Sequence, residues 1–241
     1  MNPRPADQLR PTTIEPFPEN APGNAPGSVV ITAGNTRVLC TASVQADVPR
    51  WIKKDPDTGK PTHGWVSAEY SMLPGSTPDR KRRGPDGRGT EIQRLIGRVL
   101  RAAVDKDKMP GLAITCDCDV LVADGGTRTA AITGAYVALV QALRWAQAQG
   151  RLDDAAAVLL PGVAAISVGV IDGVPTLDLD YPLDVRAEVD MNVAMNGDGQ
   201  FIEVQGTGEQ GTFDRKQLDE LLDLATQGIK DSMQIQKAAL A

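Results

Sequence analysis

The sequence has only one histidine, His63, and three cysteines among its 241 residues. Structural zinc sites take four Cys or His ligands, and catalytic zinc sites take three protein ligands, most of them His. Catalytic triads built on a serine or cysteine nucleophile also rely on histidine as the base. The scarcity of these residues therefore argues against a zinc hydrolase and against histidine-based nucleophilic catalysis.

The few cysteines also indicate the compartment. Cys116 and Cys118 would point to the same face of an extended strand, and we interpret them as small buried apolar groups. The first residues, Met1-Asn2-Pro3-Arg4-Pro5, lack the apolar stretch of a secretion signal. No apolar run approaches the roughly 18 residues of a membrane span. A cytoplasmic protein without disulfides or membrane helices is therefore expected.

Positive charge is scarce overall but concentrated in one window. The chain carries a net charge of −6, whereas residues 80–101 hold eight basic and two acidic side chains, a net of +6 that leaves −12 for the rest. The basic residues are Arg80, Lys81, Arg82, Arg83, Arg88, Arg94, Arg98 and Arg101. A cationic patch on an acidic body fits a localised binding site for a polyanion. The alternative is a solvated, charged loop.

The first half of the chain divides at turn signals. Residues 1–27, rich in Pro, Asn and Gly, predict an extended lead-in, and residues 28–45 alternate about a central turn as in a β-hairpin. Residues 46–89 predict a long irregular loop that ends in the basic run. A helix over about 91–105 follows, with Thr90 as its N-cap and Gln93 completing a capping box. On this helix Arg94, Arg98 and Arg101 should project together.

The remaining pattern is mixed. A strand is predicted over 112–123 and a largely buried helix over about 128–149. Strands over 163–171 and 174–179 flank the turn signal Asp172-Gly173. Further strands, over 189–195 and 201–204, and a helix from about Phe213 complete the chain. This order predicts an α+β fold with mixed β-sheets and helices in two layers.

The strand–turn–helix junction Asp124-Gly125-Gly126-Thr127-Arg128 is the sharpest local motif. Two glycines permit a tight turn, and the backbone N–H groups at a helix N-terminus favour an anion. Thr127 adds a hydroxyl, and Arg128 adds a guanidinium that matches phosphate. Arg88, beside another helix N-terminus, would be a second guanidinium ligand for the phosphate. The alternative is an ordinary Gly-Gly turn with an incidental arginine.

Two aspartates provide acid–base or metal chemistry. In the strand near residue 190, Asp190 and Asn192 share the face opposite to the apolar one. With Asp184 nearby, Asp190 is a candidate metal ligand or general acid, and Mg²⁺ prefers such oxygen ligands. The alternative is a polar face turned to solvent. A bound phosphate could itself attack a phosphodiester, which needs placement, charge neutralisation and a proton for the leaving oxygen.

Several long segments resemble the ribonuclease PH family, and the resemblance runs from about residue 8 to 240. They are Leu9–Pro11, Val38–Ser43, Gly87-Arg88, Glu91–Arg98, Asp117–Leu121, Ala123–Thr129, Ala131–Ala135, Asp190–Val193 and Glu203–Thr207. The resemblance implies a ribonuclease PH-type fold, like ribosomal protein S5 domain 2, in a single domain over 1–241. It also implies a phosphorolytic 3′ exoribonuclease that trims tRNA precursors and releases nucleoside diphosphates.

The same resemblance implies roles for particular residues. The phosphate ligands would be Arg88, Gly126, Thr127 and Arg128, and the catalytic or Mg²⁺-binding carboxylates would be Asp184 and Asp190. RNA would follow Arg80, Lys81, Arg82, Arg83, Arg94 and Arg98. The assembly would be a homohexamer, a trimer of dimers. Gly75 replaces a frequent arginine and Gly89 a more usual threonine, which predicts weaker RNA-tail binding and a looser phosphate arm.

Three other functions remain open from the sequence. A non-catalytic, RNA-binding ring subunit of an exosome-like assembly would be expected to lack Arg88, Arg128, Asp184 or Asp190, and all four are present. A different phosphate or nucleotide enzyme would need neither the basic window nor the ordered family segments. A general RNA-binding module would need no phosphate pocket.

Overall fold

The computed structural model describes residues 4–17, 25–84 and 86–241. Five strands form the first sheet in the order β1-β2-β3-β5-β4, antiparallel except for the parallel pair β4–β5. These strands are β1 (Thr12–Pro16), β2 (Gly27–Ala33), β3 (Thr36–Gln45), β4 (Trp65–Met72) and β5 (Ala113–Val122). The predicted hairpin is confirmed as β2–β3. Cys40 lies opposite Cys118, and both are buried with Cys116, as predicted for the pair on β5.

Four antiparallel strands form the second sheet in the order β7-β6-β8-β9. These strands are β6 (Val163–Ile171), β7 (Val174–Leu177), β8 (Val189–Asn196) and β9 (Phe201–Gly208). Asp172 and Gly173, at the predicted turn between β6 and β7, both have positive φ, as a tight hairpin turn requires.

The helices join the two sheets into an α+β fold, as predicted. They are α1 (Gly87–Arg101), α2 (Thr127–Ala148), α3 (Ala155–Val158), α4 (Tyr181–Arg186) and α5 (Arg215–Ala239). Helix α2 packs against both β3 and β6, which explains why its sequence is apolar around most of its circumference. Helix α5 packs on the second sheet. No helix in the described parts of the chain is long and apolar enough to cross a membrane.

Helix α1 corrects the predicted N-terminus. It begins at Gly87 rather than at residue 91, and its N-cap is Asp86, whose side chain accepts a hydrogen bond from the Gly89 amide. Thr90 lies inside the helix and donates its hydroxyl to the Asp86 carbonyl, so the predicted capping box is wrong. The first turn of the helix contains glycine at positions 87 and 89. Because glycine is a poor helix former, the sequence does not indicate a helix there.

Two predicted irregular regions contain strands. Strand β4 lies within 46–89, and its alternating buried residues Val66, Ala68 and Tyr70 were the signal that the sequence analysis missed. Strand β1 lies within the predicted lead-in, of which residues 1–3 and 18–24 are outside the described residues. The assignment of residues 1–241 to one domain stays a prediction.

Candidate active site

The Gly-Gly turn lies between the end of β5 and the start of α2, as the sequence predicts. Gly125 and Gly126 have φ of +74° and +65°, and Gly126 is the N-cap of the helix, without a side chain to block its first amides. A Cβ on Gly125 would lie 2.6 Å from the Leu179 carbonyl oxygen. Glycine is therefore required both for the left-handed backbone and for the close approach of a neighbouring segment.

Two side chains from the first sheet fix this turn. The Thr36 hydroxyl donates to the Gly125 carbonyl at 2.7 Å and accepts from the Asp124 amide at 2.9 Å. The Tyr70 hydroxyl is hydrogen bonded to the Thr127 hydroxyl at 2.8 Å. Burial raises the pKa of Tyr70, so this phenol stays protonated near neutral pH. Sequence reasoning missed Tyr70 because β4 had been interpreted as loop.

A cavity of about 360 Å³ brings together residues that are far apart in the chain. It is lined by Arg88, Thr127, Arg128, Ser167, Asp184, Val185, Asp190, Asn192, Glu209 and Gln210. Helix α4, capped by the Asp180 side chain, carries Asp184, and β8 presents Asp190 and Asn192 on one face, as its alternation predicts. Of the sequence-predicted phosphate and carboxylate residues, only Gly126 does not line the cavity. A Cβ on Gly126 would point at Arg10, 2.9 Å from its Nη2 atom.

The two arginines occupy equivalent positions at two helix N-termini. Arg88 is the second residue of α1, and Arg128 is the second residue of α2. Arg128 is oriented by Gln205, which accepts from its Nη1 at 2.8 Å, and by Glu91, whose Oε1 lies 3.8 Å from the same nitrogen. Gln205 and Glu91 are orienting groups that sequence reasoning did not assign. Guanidinium groups and helix N-termini both attract anions, so this edge of the cavity favours phosphate.

The same cavity holds two carboxyl groups with altered acidity. Burial raises the pKa of Asp190 to about 6, and the charge of Asp184 adds to this effect, while Arg128 and Arg88 oppose it. Partial desolvation also raises the pKa of Asp184, opposed by the same two arginines. A carboxyl group with a raised pKa in a polar cleft is typical of a functional site.

The raised pKa of Asp190 predicts a pH-dependent cost in stability. Since an unfolded aspartate has a pKa of about 3.9, ionisation opposes folding increasingly from about pH 4 to pH 6 and fully above it. Asp190→Asn should therefore raise the free energy of unfolding at pH 8 by about 1–3 kcal/mol, and the gain should vanish near pH 4. Urea unfolding of both proteins at the two pH values measures this. An equal difference at both pH values would contradict it.

The basic residues of the predicted RNA path are divided by the fold. Lys81, Arg82 and Arg83 line a second cavity of about 390 Å³, which shares Arg88 with the first. Arg80 and Arg94 are exposed and line neither cavity.

Two of the three arginines along α1 have partners on different sheets, and the joint projection of all three stays a prediction. Arg98 forms an ion pair with Glu203 of the second sheet. Arg101 donates to the Val66 carbonyl and lies over the Trp65 ring of the first sheet. Burial lowers the pKa of Arg101, and the nearby charge of Arg98 lowers it further, so the two guanidinium groups remain neighbours.

Oxygen donors suited to Mg²⁺ are present in the cavity. Asp184 and Asp190 are hard ligands, and the side chain of Asn192 lines the same wall. Across residues 4–17, 25–84 and 86–241, no group of three or more His, Cys, Asp or Glu side chains is placed to hold a metal ion. The donor set fits a cation that keeps several of its waters, as Mg²⁺ does in phosphate-handling sites.

The profile of the 3′ exoribonuclease family matches the chain in two parts. Its domain 1 matches residues 8–144, which include Arg88 and the Gly-Gly turn, and its domain 2 matches residues 163–228, which include both aspartates. The chain belongs to the 3′ exoribonuclease family. The boundary between the two matches coincides with the passage from the first sheet to the second, so the cavity described above is lined by residues from both parts.

Close relatives span nearly the whole chain. Ribonuclease PH of Corynebacterium efficiens is 56% identical over 90% of this chain and 87% of its own length. Ribonuclease PH of Rhodopirellula baltica is 56% identical over 98% and 96%, and that of Bifidobacterium longum is 51% identical over 99% and 94%. These identities confirm the resemblance found in the sequence.

Solved structures confirm the fold. An Archaeoglobus fulgidus exosome with RNA bound to its active site contains a chain that superposes with a TM-score of 0.77, at 21% identity, covering 96% of this chain and 90% of that one. An archaeal exosome core gives a TM-score of 0.72, at 20% identity, over 96% and 89%.

Proposed function

We propose that the cavity between α1, α2, α4 and β8 is the site at which this protein, a phosphate-dependent 3′ exoribonuclease, trims the 3′ ends of tRNA precursors. The observation that carries the proposal is the arrangement of charge. Two arginines at two helix N-termini line the same cavity as the carboxyl groups of Asp184 and Asp190. The arginines fit an anion, and the carboxyl groups fit acid–base chemistry.

The site residues suggest how the reaction runs. Arg88, Arg128 and Thr127 hold inorganic phosphate, and Gly126 leaves the α2 amides open to it. A phosphate oxygen attacks the phosphorus of the last phosphodiester, and the bond from that phosphorus to the 3′ oxygen of the preceding nucleotide breaks. The leaving 3′ oxygen takes up a proton, and the products are a nucleoside diphosphate and an RNA shorter by one residue. Placement and charge neutralisation supply most of the rate in such transfers.

Asp190 is suited to provide the proton. Its pKa of about 6 leaves it protonated more often near neutral pH than an ordinary aspartate. The alternative role of Asp190 is to hold Mg²⁺ together with Asp184, and that ion when bound would neutralise charge on the phosphate groups. Neither role requires a histidine or a cysteine, which agrees with the composition.

The wider surface suggests how RNA reaches the site. The cavity lined by Lys81, Arg82 and Arg83 adjoins the first at Arg88, so these cations lie where they can contact the RNA backbone. Arg80 and Arg94 extend the cationic surface, whereas Arg98 is already paired with Glu203. A homohexameric ring and a cytoplasmic location complete the proposal, and sizing in phosphate buffer tests the assembly.

The reaction itself has a direct test. The protein is incubated with a 3′-extended tRNA, with and without inorganic phosphate, and the released nucleotides are identified. We expect shortening only with phosphate, with nucleoside diphosphates as products. Shortening that proceeds equally without phosphate and releases monophosphates would make the proposal wrong. Binding without shortening under either condition would favour a non-catalytic ring subunit.

The contact between Tyr70 and Thr127 makes a separate prediction. Tyr70→Phe removes the hydroxyl that orients Thr127 and should raise the KM for phosphate about 5–10-fold, as expected for the loss of one hydrogen bond. The KM for RNA should change less than the KM for phosphate, because the lost hydroxyl contacts Thr127 although the ring also lines the second cavity. Steady-state kinetics with phosphate varied at saturating RNA measures this, and Tyr136→Phe, which alters a phenol away from the site, is the matched control. An unchanged phosphate KM would contradict the prediction.

A further inference from the structure

A buried ion pair lies directly behind the phosphate-facing turn. Arg10 and Asp178 are only 6% and 2% exposed. The Arg10 Nη2 and Nε atoms donate to the two Asp178 carboxylate oxygens at 2.7 and 3.0 Å, and the Arg10 backbone amide donates to Oδ2 at 2.9 Å. This bidentate geometry fixes both side chains in one orientation.

The same guanidinium also holds the turn. The Arg10 Nη1 atom donates to the Asp124 carbonyl at 2.7 Å. A Cβ on Gly126 would lie 2.9 Å from Arg10 Nη2, so the turn packs directly on the guanidinium. Arg10 therefore joins the turn Asp124–Gly126 to Asp178.

Asp178 also begins the segment that leads into α4 and Asp184. Its backbone has φ of +56°, a left-handed conformation that aspartate and asparagine adopt more readily than most other residues with a side chain. The Ser167 carbonyl accepts from the Asp178 amide at 2.7 Å, and the Ser167 hydroxyl accepts from the Leu179 amide at 3.0 Å. Two residues later Asp180 caps α4, which carries Asp184.

We propose that Arg10 and Asp178 are positioning residues that hold the turn Asp124–Gly126 at a fixed distance from Asp184 across the cavity. The inference rests on the proposed function, since it concerns the placement of phosphate relative to the carboxyl groups. Arg10 and Asp178 do not line the cavity, so their effect is transmitted through backbone that they hold. A small misplacement of reacting groups costs a large factor in rate.

Removing one partner alone would leave a buried charge and endanger folding. The test variant is therefore Arg10→Met/Asp178→Asn, which removes both charges and keeps a residue that tolerates positive φ at position 178. We expect its KM for phosphate to rise about 10-fold or more, with the KM for RNA within about 2-fold of the native value. Partial unfolding would lower only the apparent kcat, because unfolded molecules contribute no turnover at any phosphate concentration.

A second variant keeps the proposal testable if the double variant does not fold. Arg10→Lys keeps the buried charge. A single ammonium group, however, lacks the planar array of N–H donors with which the guanidinium reaches both Asp178 and the Asp124 carbonyl. It should also raise the phosphate KM. The control is Arg215→Met/Asp219→Asn, which removes an exposed ion pair on α5 and should leave both KM values unchanged.

The outcomes separate the two proposals. Native protein that shortens RNA without phosphate would overturn the proposed function. Phosphate-dependent native protein, together with a native phosphate KM in Arg10→Lys or in the folded double variant, would overturn the positioning role alone. A raised phosphate KM with an unchanged RNA KM supports it.

Discussion

Arg128→Ala is expected to lower phosphate-dependent turnover by about 100-fold or more while leaving the fold intact. The side chain lies at the start of α2 and reaches the cavity, so its removal deletes a charged contact to phosphate without opening the core. A hydrogen bond to a charged group contributes about 1.5–3 kcal/mol, and its charge also stabilises the transition state. Gln205 cannot take over, since a neutral amide carries no compensating charge.

The measurement is the rate of nucleoside diphosphate release at several phosphate concentrations, with circular dichroism to verify folding. Arg144→Ala is the matched control, because Arg144 lies on the same helix near its other end and donates to the Leu240 carbonyl. We expect the control to retain native turnover. Unchanged phosphate dependence in Arg128→Ala would refute the assignment of this edge as the phosphate site.

Asp190→Asn should reduce cleavage by about 100- to 10,000-fold and leave RNA binding largely intact. Asparagine has nearly the same shape but cannot deliver a proton and is a weaker ligand for Mg²⁺. The cations around Arg82, which we propose contact RNA, line the second cavity, which Asp190 does not line, so binding of the substrate should persist. The loss should appear in kcat, because the interaction acts in the transition state.

Single-turnover cleavage and fluorescence anisotropy with a labelled 3′ tail separate chemistry from binding. Asp198→Asn, in the exposed turn between β8 and β9, is the control and should behave as native. If Asp190→Asn loses RNA binding and cleavage in equal proportion, Asp190 has a structural role instead. The gain in stability predicted for the same variant at pH 8 would show that the carboxyl is retained at a cost to folding.

The local signals in the sequence were sufficient where a residue's role depends on its neighbours in the chain. Alternation placed Asp190 and Asn192 on one face of β8, and the glycines marked the turn before α2. The same signals did not predict the start of α1, because its first turn contains Gly87 and Gly89. Asp86 caps that turn. At β4 the alternation is present, but no hairpin turn marks the strand, because it pairs in parallel with the distant β5.

The sequence by itself determined the strand–Gly-Gly–helix turn, because backbone torsional freedom and helix capping depend on only a few consecutive residues. This turn was the first indication of a phosphate site. Only the tertiary structure decided which groups meet there. Sheet packing brings Tyr70 to Thr127, Gln205 to Arg128 and Arg10 to Asp178, and it raises the pKa of Asp190 by burying it. These partners are remote in the chain, and burial depends on the whole fold, so no local pattern encodes them.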